Sequence, residues 1–284
     1  QEMYELKIAA WLHDCGKVAT PEFVVDKSTK LETIYDRIHE VETRFSVLQR
    51  DKQIIKLKKE LSVERDDSLS VKQKNEKFKQ IKSEYQKSTR QLKKDLSFVK
   101  ESNIGGEFMS DDKKQRINEI SNYKWKPNGK MQNFLSENEV YNLTIPRGTL
   151  TPEERQVIND HIVVTINMLD ELPYPKHLKN IPEFAGGHHE KLDGTGYPKG
   201  LTKNEMSIQA RIMAIADIFE ALTARDRPYK KGKTLSQAMR ILGFMKDDAH
   251  IDVDLFDIFV KKKIYMKYAK GFLEPEQIDE VTFK

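Results

Sequence analysis

The spacing of apolar residues is the feature of this 284-residue chain that most restricts its fold. Apolar side chains recur at intervals of three, four and seven residues, and no segment shows the strict alternation that is typical of a half-buried strand. Leu6, Ile8, Ala9 and Leu12 predict a first helix, and a second, strongly apolar helix is predicted from about 207 to 223. The pattern therefore predicts an all-α fold.

Composition excludes several classes of protein. The chain has 13 Gly, 10 Pro and 9% aromatic residues, which excludes collagen-like and fully disordered chains. No apolar run reaches the roughly 18 residues that a membrane-spanning helix needs. The single cysteine, Cys15, excludes an internal disulfide and fits a reducing compartment, so we expect a cytoplasmic protein. Because the chain opens with Gln1, we expect a piece of a larger sensor protein, with any membrane contact made by upstream regions.

One segment carries most of the positive charge. Residues 44–100 contain 17 Lys and Arg against 8 Asp and Glu, although the whole chain has 49 against 45. Within this segment Val47, Ile54 and Leu61 recur every seven residues, with Leu57 between the last two, which is typical of a coiled-coil seam. The segment is therefore predicted to form a charged helical hairpin.

The hairpin is predicted to interrupt a second domain. We assign residues 41–144 to the inserted, basic hairpin, and residues 1–40 and 145–284 to the domain that it interrupts. The hairpin is expected to project as an arm for homodimerisation or partner docking. Nucleic acid is the less favoured partner, because the lysines are spread out and aromatic residues are sparse.

The histidines are few and partly paired. His13 is followed by Asp14 and His188 by His189, and both pairs lie beside predicted helix ends. Imidazole nitrogens together with carboxylate oxygens suit Zn, Mn, Fe or Ni better than Ca or Mg. Asp217 lies in the most apolar predicted helix, where an unpaired carboxylate would be very costly. These residues together indicate a metal cluster.

The residues that carry chemistry follow one another in an ordered series of motifs. The series consists of His13-Asp14-Cys15-Gly16-Lys17, His161, His188-His189-Glu190, Asp193-Gly194-Thr195-Gly196-Tyr197-Pro198, Asp217 and Arg227-Pro228-Tyr229-Lys230. It resembles the HD-GYP subgroup of the HD metal-dependent phosphohydrolases, which are bacterial cyclic di-GMP phosphodiesterases. The resemblance covers roughly residues 1–40 and 145–262, and it implies an HD-type helical bundle that the hairpin interrupts.

The insertion leaves two histidines as candidates for one ligand position. In the family a ligand histidine follows a Leu-Thr-Pro-Glu-Glu pattern by eleven residues. Leu150 and His161 have this spacing with the pattern intact, whereas Leu31 and His39 are eight residues apart and lack it. We therefore choose His161 and expect His39 to be a surface or hinge residue.

The resemblance implies a metal site with six ligands in this chain. They are His13, Asp14, His161, His188, His189 and Asp217, with Asp14 as the bridging carboxylate. The implied cofactors are two or three transition metal ions, Fe or Mn first and Ni, Co or Zn as alternatives. The choice between two and three stays open, because family members carry a further Glu and His on a helix upstream of these residues.

The resemblance also implies a reaction and the residues that bind its substrate. The reaction is hydrolysis of a 3′–5′ phosphodiester of cyclic di-GMP to linear pGpG, with GMP as a further product. Lys17 would contact the attacked phosphate, and Arg227 and Lys230 the other phosphate. Tyr197, an exposed aromatic on a rigid turn, would handle substrate and contact GGDEF-type diguanylate cyclases. Two alternatives stay open: another cyclic dinucleotide, such as cyclic GMP-AMP, or a regulatory interaction module with a structural metal site.

Overall fold

The computed structural model describes residues 2–106, 108–224 and 232–282. Its α-helices are α1 (Glu2–Leu12), α2 (Glu22–Val25), α3 (Ile38–Glu64), α4 (Val71–Ile104), α5 (Asp111–Ser121), α6 (Glu137–Leu143), α7 (Pro152–Asn159), α8 (His161–Asp170), α9 (Ile181–Gly186), α10 (Ile208–Thr223), α11 (Leu235–Asp247), α12 (Val253–Lys261) and α13 (Ile264–Phe272). The strands of this described part are β1 (Lys124–Trp125) and β2 (Gln132–Asn133), which pair antiparallel. The predicted all-α fold is confirmed. Within these residues no helix is both long and apolar enough to span a bilayer.

The chain divides into two compact units. The discontinuous unit contains Gln1–Asp26 and Glu153–Lys284, and the inserted unit is Lys27–Pro152. These limits differ from the predicted domain limits, because residues 27–40 pack with the insertion. The backbone amide of Lys30 donates to the carbonyl of Asn103, and that of Leu31 donates to the Asn103 side chain.

The discontinuous unit has two hydrophobic clusters that share α10. One cluster joins α1, α8, α9 and α10 through buried residues such as Ala9, Leu169, Phe184 and Met213. The other joins α10 to α11, α12 and α13. Ser207 begins α10 as its N-cap, with its side chain accepting a hydrogen bond from the Ala210 amide. Because α10 packs on both sides, its position relative to α1, α8 and α9 is well determined.

The inserted unit is more than the predicted hairpin. Helices α3 and α4 do form a helical hairpin, and the chain then adds α5, the β1–β2 pair and α6. The aromatic ring of Phe134, just after β2, packs edge-on against Phe45 of α3 at 4.6 Å between ring centroids. The elements that follow α4 therefore form a hydrophobic core with the first turns of α3 and the last turns of α4. The polar sequence of residues 107–145 gave no indication of this core.

The predicted heptad seam does not form the contact between α3 and α4. The buried apolar residues of α3 are Ile38, Val41, Phe45 and Leu48. By contrast, Ile54, Leu57 and Leu61 are 48%, 52% and 50% exposed. The heptad positions are therefore not the buried seam of the hairpin. Along this part of α3, Lys56 and Lys59 contact Tyr85 and Glu84 of α4 instead.

Candidate metal centre

His13 and Asp14 follow directly after α1 and are held there by a close approach to α8. The backbone amide of Gly16 donates to the Thr165 hydroxyl at 2.9 Å. A Cβ atom on Gly16 would lie 2.1 Å from the carbonyl oxygen of His161, so no larger residue fits without moving α8. The glycine therefore lets the segment that bears His13 and Asp14 lie against the first turn of α8.

The other predicted ligands come from three further elements. His161 is the first residue of α8, the pair His188 and His189 follows α9, and Asp217 lies in the middle of α10. His161 and His188 are 3% and 2% exposed. The alternative His39 lies in the inserted unit, where its exposed side chain contacts Glu42.

The structure brings all six predicted ligands of the discontinuous unit together. His13 Nε2 lies 3.2 Å from Asp14 Oδ2 and 3.5 Å from Asp217 Oδ1. On the other side, His161 Nε2 lies 3.2 Å from Asp14 Oδ1. The two oxygens of Asp14 thus face different histidines, which is the arrangement that a bridging carboxylate requires.

Two groups of side chains each offer three ligand atoms to one ion. One is His161, His188 and His189, and the other is His13, Asp14 and His188; the three atoms of each group lie within 4.8 Å of one another. The rings of His188 and His189 are 4.1 Å apart between centroids, and those of His13 and His188 are 4.8 Å apart. His188 is common to both groups, so the two positions adjoin each other.

Backbone carbonyls orient three of the imidazoles. The Nδ1 atoms of His13, His161 and His188 lie 2.8, 2.5 and 2.6 Å from the carbonyl oxygens of Ala10, Ile158 and Ala185. A carbonyl can only accept a hydrogen bond, so each Nδ1 carries a proton and each Nε2 is the nitrogen that faces the cluster. This is how metal-binding histidines are commonly oriented.

Several polar atoms at the centre of the cluster are buried without a hydrogen bond. They are Nε2 of His13, Nε2 of His188 and Oδ1 of Asp14. Orphaned buried polar atoms cost free energy, and here they converge on one point. The donor set of imidazole nitrogens and carboxylate oxygens therefore fits a transition metal ion.

The side chains of the cluster shift one another's pKa values. Burial alone would lower the pKa of His13, but the nearby carboxylates of Asp14 and Asp217 outweigh burial and raise that pKa to about 10. Burial would raise the pKa of Asp14, but His13, His161 and Lys17 hold it well below its usual range. Burial lowers the pKa of both His188 and His189, so these two rings are neutral and can donate lone pairs.

The predicted substrate-binding residues have three different outcomes. The ammonium of Lys17 lies 2.6 Å from Asp14 Oδ2, and its side chain is 48% exposed. The ring of Tyr197 stacks on that of His189 at 4.8 Å and 17°, so the expectation of an exposed aromatic was wrong. Burial, with the nearby Asp217 and Asp14, raises the pKa of Tyr197 to about 12. Arg227 and Lys230 lie outside the described residues.

Sequence reasoning missed two residues that shape the centre. Gly16 and Glu190 both occur in the series of motifs, but the sequence assigns a role to neither. The signal for Gly16 is its position two residues after Asp14, where a close approach needs a residue without Cβ. For Glu190 the sequence carried no signal, because its partners are backbone amides.

A known protein family matches part of this chain. The HD domain family matches residues 137–255. The matched range contains His161, His188, His189 and Asp217, whereas His13 and Asp14 precede it.

Several curated proteins are similar to part of this chain. A 3′3′-cGAMP-specific phosphodiesterase 3 of Vibrio cholerae is 38% identical over 107 residues, covering 38% of this chain and 22% of that protein. A cyclic di-GMP phosphodiesterase of Thermotoga maritima is 42% identical over 93 residues, covering 33% of this chain and 25% of that protein. A probable cyclic di-GMP phosphodiesterase of Vibrio cholerae is 32% identical over 141 residues, covering 48% of this chain and 32% of that protein. The chain thus matches at most 32% of the length of these three relatives.

Proposed function

Since this chain carries an HD domain of the HD-GYP type, we propose that it is a metal-dependent phosphodiesterase that hydrolyses cyclic di-GMP. The products are linear pGpG after one cleavage and GMP after a second. The observation that carries the proposal is the convergence of six ligand side chains from four separate segments, with Asp14 facing both groups of histidines.

The six side chains would hold at least two transition metal ions. His161, His188 and His189 form one position and His13, Asp14, His188 and Asp217 surround the other. We propose Fe or Mn, with Ni, Co and Zn as alternatives, because mixed nitrogen and carboxylate ligands suit these ions. Such ions, when bound, lower the pKa of a coordinated water and polarise the phosphoryl oxygen.

The chain's own cations would bind the two phosphates. Lys17 is the cation nearest to the bridging carboxylate, and its exposed side chain can turn from Asp14 to a non-bridging phosphate oxygen. Arg227 and Lys230 are proposed to bind the second phosphate, for which the arginine fork is well suited. Tyr197, stacked on His189, would present one edge of its ring to the bound substrate.

A second cyclic dinucleotide is also a candidate substrate. One relative is named as specific for 3′3′-cGAMP and is 38% identical to this chain over 107 residues. The metal-binding residues act on the phosphodiester, which both dinucleotides share. The identity of the bases would therefore be selected by residues outside the six ligands.

Hydrolysis assays with both dinucleotides test the proposal. Protein purified without metal is loaded with Mn²⁺ or Fe²⁺ and incubated with cyclic di-GMP or 3′3′-cGAMP, and products are separated by chromatography. The double substitution His13→Ala, Asp14→Ala is the control. Turnover that needs metal and is lost in the control is expected. Metal-loaded wild-type protein without turnover of either substrate would instead favour the regulatory interaction module.

The remaining proposals concern partners and location. We place the activity in the bacterial cytoplasm. A GGDEF-type diguanylate cyclase could bind the loop at Tyr197, although one face of that ring is covered by His189. Homodimerisation is proposed for the arm formed by α3 and α4, whose residues Ile54, Leu57 and Leu61 are half exposed. Analytical ultracentrifugation of the wild type and of Leu57→Lys tests this, with dissociation of the variant as the expected result.

A further inference from the structure

The loop that carries Tyr197 is attached to a buried carboxylate beside the metal centre. Glu190 follows His189 and is 1% exposed. Its Oε1 accepts a hydrogen bond from the Lys199 amide at 2.7 Å, and its Oε2 accepts one from the Leu201 amide at 2.8 Å. Both carboxylate oxygens therefore bind the backbone of the loop after Tyr197, at Lys199 and Leu201.

The part of the loop just before Tyr197 packs closely against the backbone of Glu190 and Lys191. A Cβ atom on Gly196 would lie 2.3 Å from the Lys191 amide nitrogen and 2.5 Å from the Glu190 Cα. The backbone amide of Tyr197 donates to the carbonyl of His189 at 3.2 Å. These contacts leave little freedom for the position of the Tyr197 backbone.

The restrained loop in turn restrains one imidazole. Tyr197 lies flat on His189, with 4.8 Å between ring centroids and an angle of 17°. His13, His161 and His188 each have a backbone carbonyl at Nδ1 that orients the ring. Among the described contacts His189 has none of this kind, and its Nε2 lies 3.3 Å from His161 Nε2. His189 also contacts the rings of His161 and His188, which belong to the cluster itself. Among the described ring contacts, the stack with Tyr197 is the one by which a residue outside the six ligands can fix the plane of this ring.

We propose that Glu190 is a positioning residue, which holds the loop so that Tyr197 orients His189 for the metal position shared with His161 and His188. Glu190 itself touches neither metal nor substrate. Its carboxylate acts through two amide hydrogen bonds, the loop and the aromatic stack. The inference rests on the proposed metal centre and adds a role that the six ligands do not cover.

The proposal predicts an effect on one metal position only. Glu190→Gln keeps the shape of the side chain but points an NH₂ group at one of the two amide donors, which abolishes that hydrogen bond. We expect the ion bound by His161, His188 and His189 to bind about tenfold more weakly or worse, as when other supporting residues of metal sites are changed. The ion bound by His13, Asp14 and Asp217 should keep its affinity.

Titration with Co²⁺ measures this without any assay of hydrolysis. Calorimetry gives the affinity of each bound ion, and the visible spectrum of Co²⁺ reports the geometry of its ligands. The matched control is Glu205→Gln, because Glu205 accepts hydrogen bonds from Thr202 just after the same loop but is exposed. The control should titrate like the wild type.

A double-mutant cycle tests the route through the stack. Tyr197→Leu should weaken the same metal position, and Tyr197→Phe, which keeps the ring, should not. If Glu190 acts through Tyr197, adding Glu190→Gln to Tyr197→Leu causes little further loss. If the losses of metal affinity caused by Glu190→Gln and Tyr197→Leu were fully additive, the proposal would be overturned. The same holds if Glu190→Gln binds Co²⁺ as tightly as the wild type does.

The outcomes separate this inference from the proposed function. Metal-loaded wild-type protein that hydrolyses substrate, together with an unchanged Glu190→Gln, rejects only the positioning role. Wild-type protein that binds no Co²⁺ rejects the metal centre and this inference with it. Should Glu190→Gln fail to fold by circular dichroism, the comparison of Tyr197→Leu with Tyr197→Phe decides alone: equal metal affinities of these two variants would overturn the proposal.

Discussion

The discontinuous unit and the inserted unit both bury ionisable side chains, but they satisfy them differently. In the inserted unit the Asp95 carboxylate accepts hydrogen bonds from Tyr123 and Arg116 at 2.7 and 3.2 Å. Glu139 there accepts two hydrogen bonds from Arg44 at 2.6 and 2.8 Å. In the discontinuous unit, orphaned atoms of His13, Asp14 and His188 converge on one point.

The difference indicates which buried charges are structural. A buried carboxylate that is paired with arginine and tyrosine stabilises a particular packing and needs nothing further. Buried ligand atoms without hydrogen bonds need a cation from outside the chain. The inserted unit also has orphaned atoms, on Arg37 and Thr89, but these lie on separate elements and form no cluster.

The largest expected effect contrasts Asp14 with Asp95. Asp14→Asn removes the charge of the carboxylate that we propose to bridge the metal ions, so metal content should fall. Hydrolysis should drop by about a thousandfold or more, since each 1.4 kcal/mol of lost transition-state stabilisation is tenfold in rate. Asp95→Asn should keep full activity while lowering the free energy of unfolding by about 1–3 kcal/mol. Elemental analysis, rate measurement and urea denaturation give the three quantities. Equal activity losses in both variants would erase the contrast.

The next largest effect concerns the buried ion pair of the inserted unit. Glu139→Ala removes the buried carboxylate that pairs with Arg44 and leaves its guanidinium only the more distant, exposed Glu40, so the expected loss of unfolding free energy is about 3 kcal/mol. Metal affinity should not change, because the six ligands belong to the other unit. Glu137→Ala, an exposed position of the same helix, is the control and should stay near wild type in denaturation.

A glycine substitution tests the close approach in the discontinuous unit. Gly16→Ala places a methyl group against the carbonyl of His161, and we expect it to cost about 1–3 kcal/mol of unfolding free energy and to weaken metal binding. Gly243→Ala on α11 is the matched control, because outside the neighbouring turns of α11 no atom lies within 4 Å of the added Cβ. Thermal unfolding and Co²⁺ titration of both variants provide the measurement. Normal metal affinity in Gly16→Ala would show that α8 can shift without cost to the centre.

The smallest effect, per unit of pH, is a pH dependence of stability in the inserted unit. Burial and the nearby Lys113 lower the pKa of Lys30 from 10.5 to about 8 in the folded protein. Between these values the unfolded chain binds the proton that the folded chain has lost, so stability should rise with pH from about 8 to 10.5. The slope is at most about 1.4 kcal/mol per pH unit. Urea denaturation at several pH values should show this slope in the wild type and not in Lys30→Met; identical slopes would reject it.

Much of the metal centre could be predicted from the chain. The pairs His13-Asp14 and His188-His189, the carboxylate of Asp217 and the spacing of Leu150 from His161 all point to residues that the structure brings together. These are local patterns of residue type, and residue type determines which ligands a metal ion accepts. The helical fold was predictable for a similar reason, since helical hydrogen bonds and apolar faces are local features of a sequence.

The contacts between distant segments were not predictable. Which face of α3 meets α4 decided that Ile54, Leu57 and Leu61 stay exposed, and the packing of α5, α6 and Phe134 decided that the insertion has its own core. The same holds for Glu190, whose partners are backbone amides that any residue could supply. Sequence alone therefore determined the helices and the side chains of the proposed metal centre. The tertiary structure decided how they are oriented, because orientation depends on packing between residues far apart along the chain.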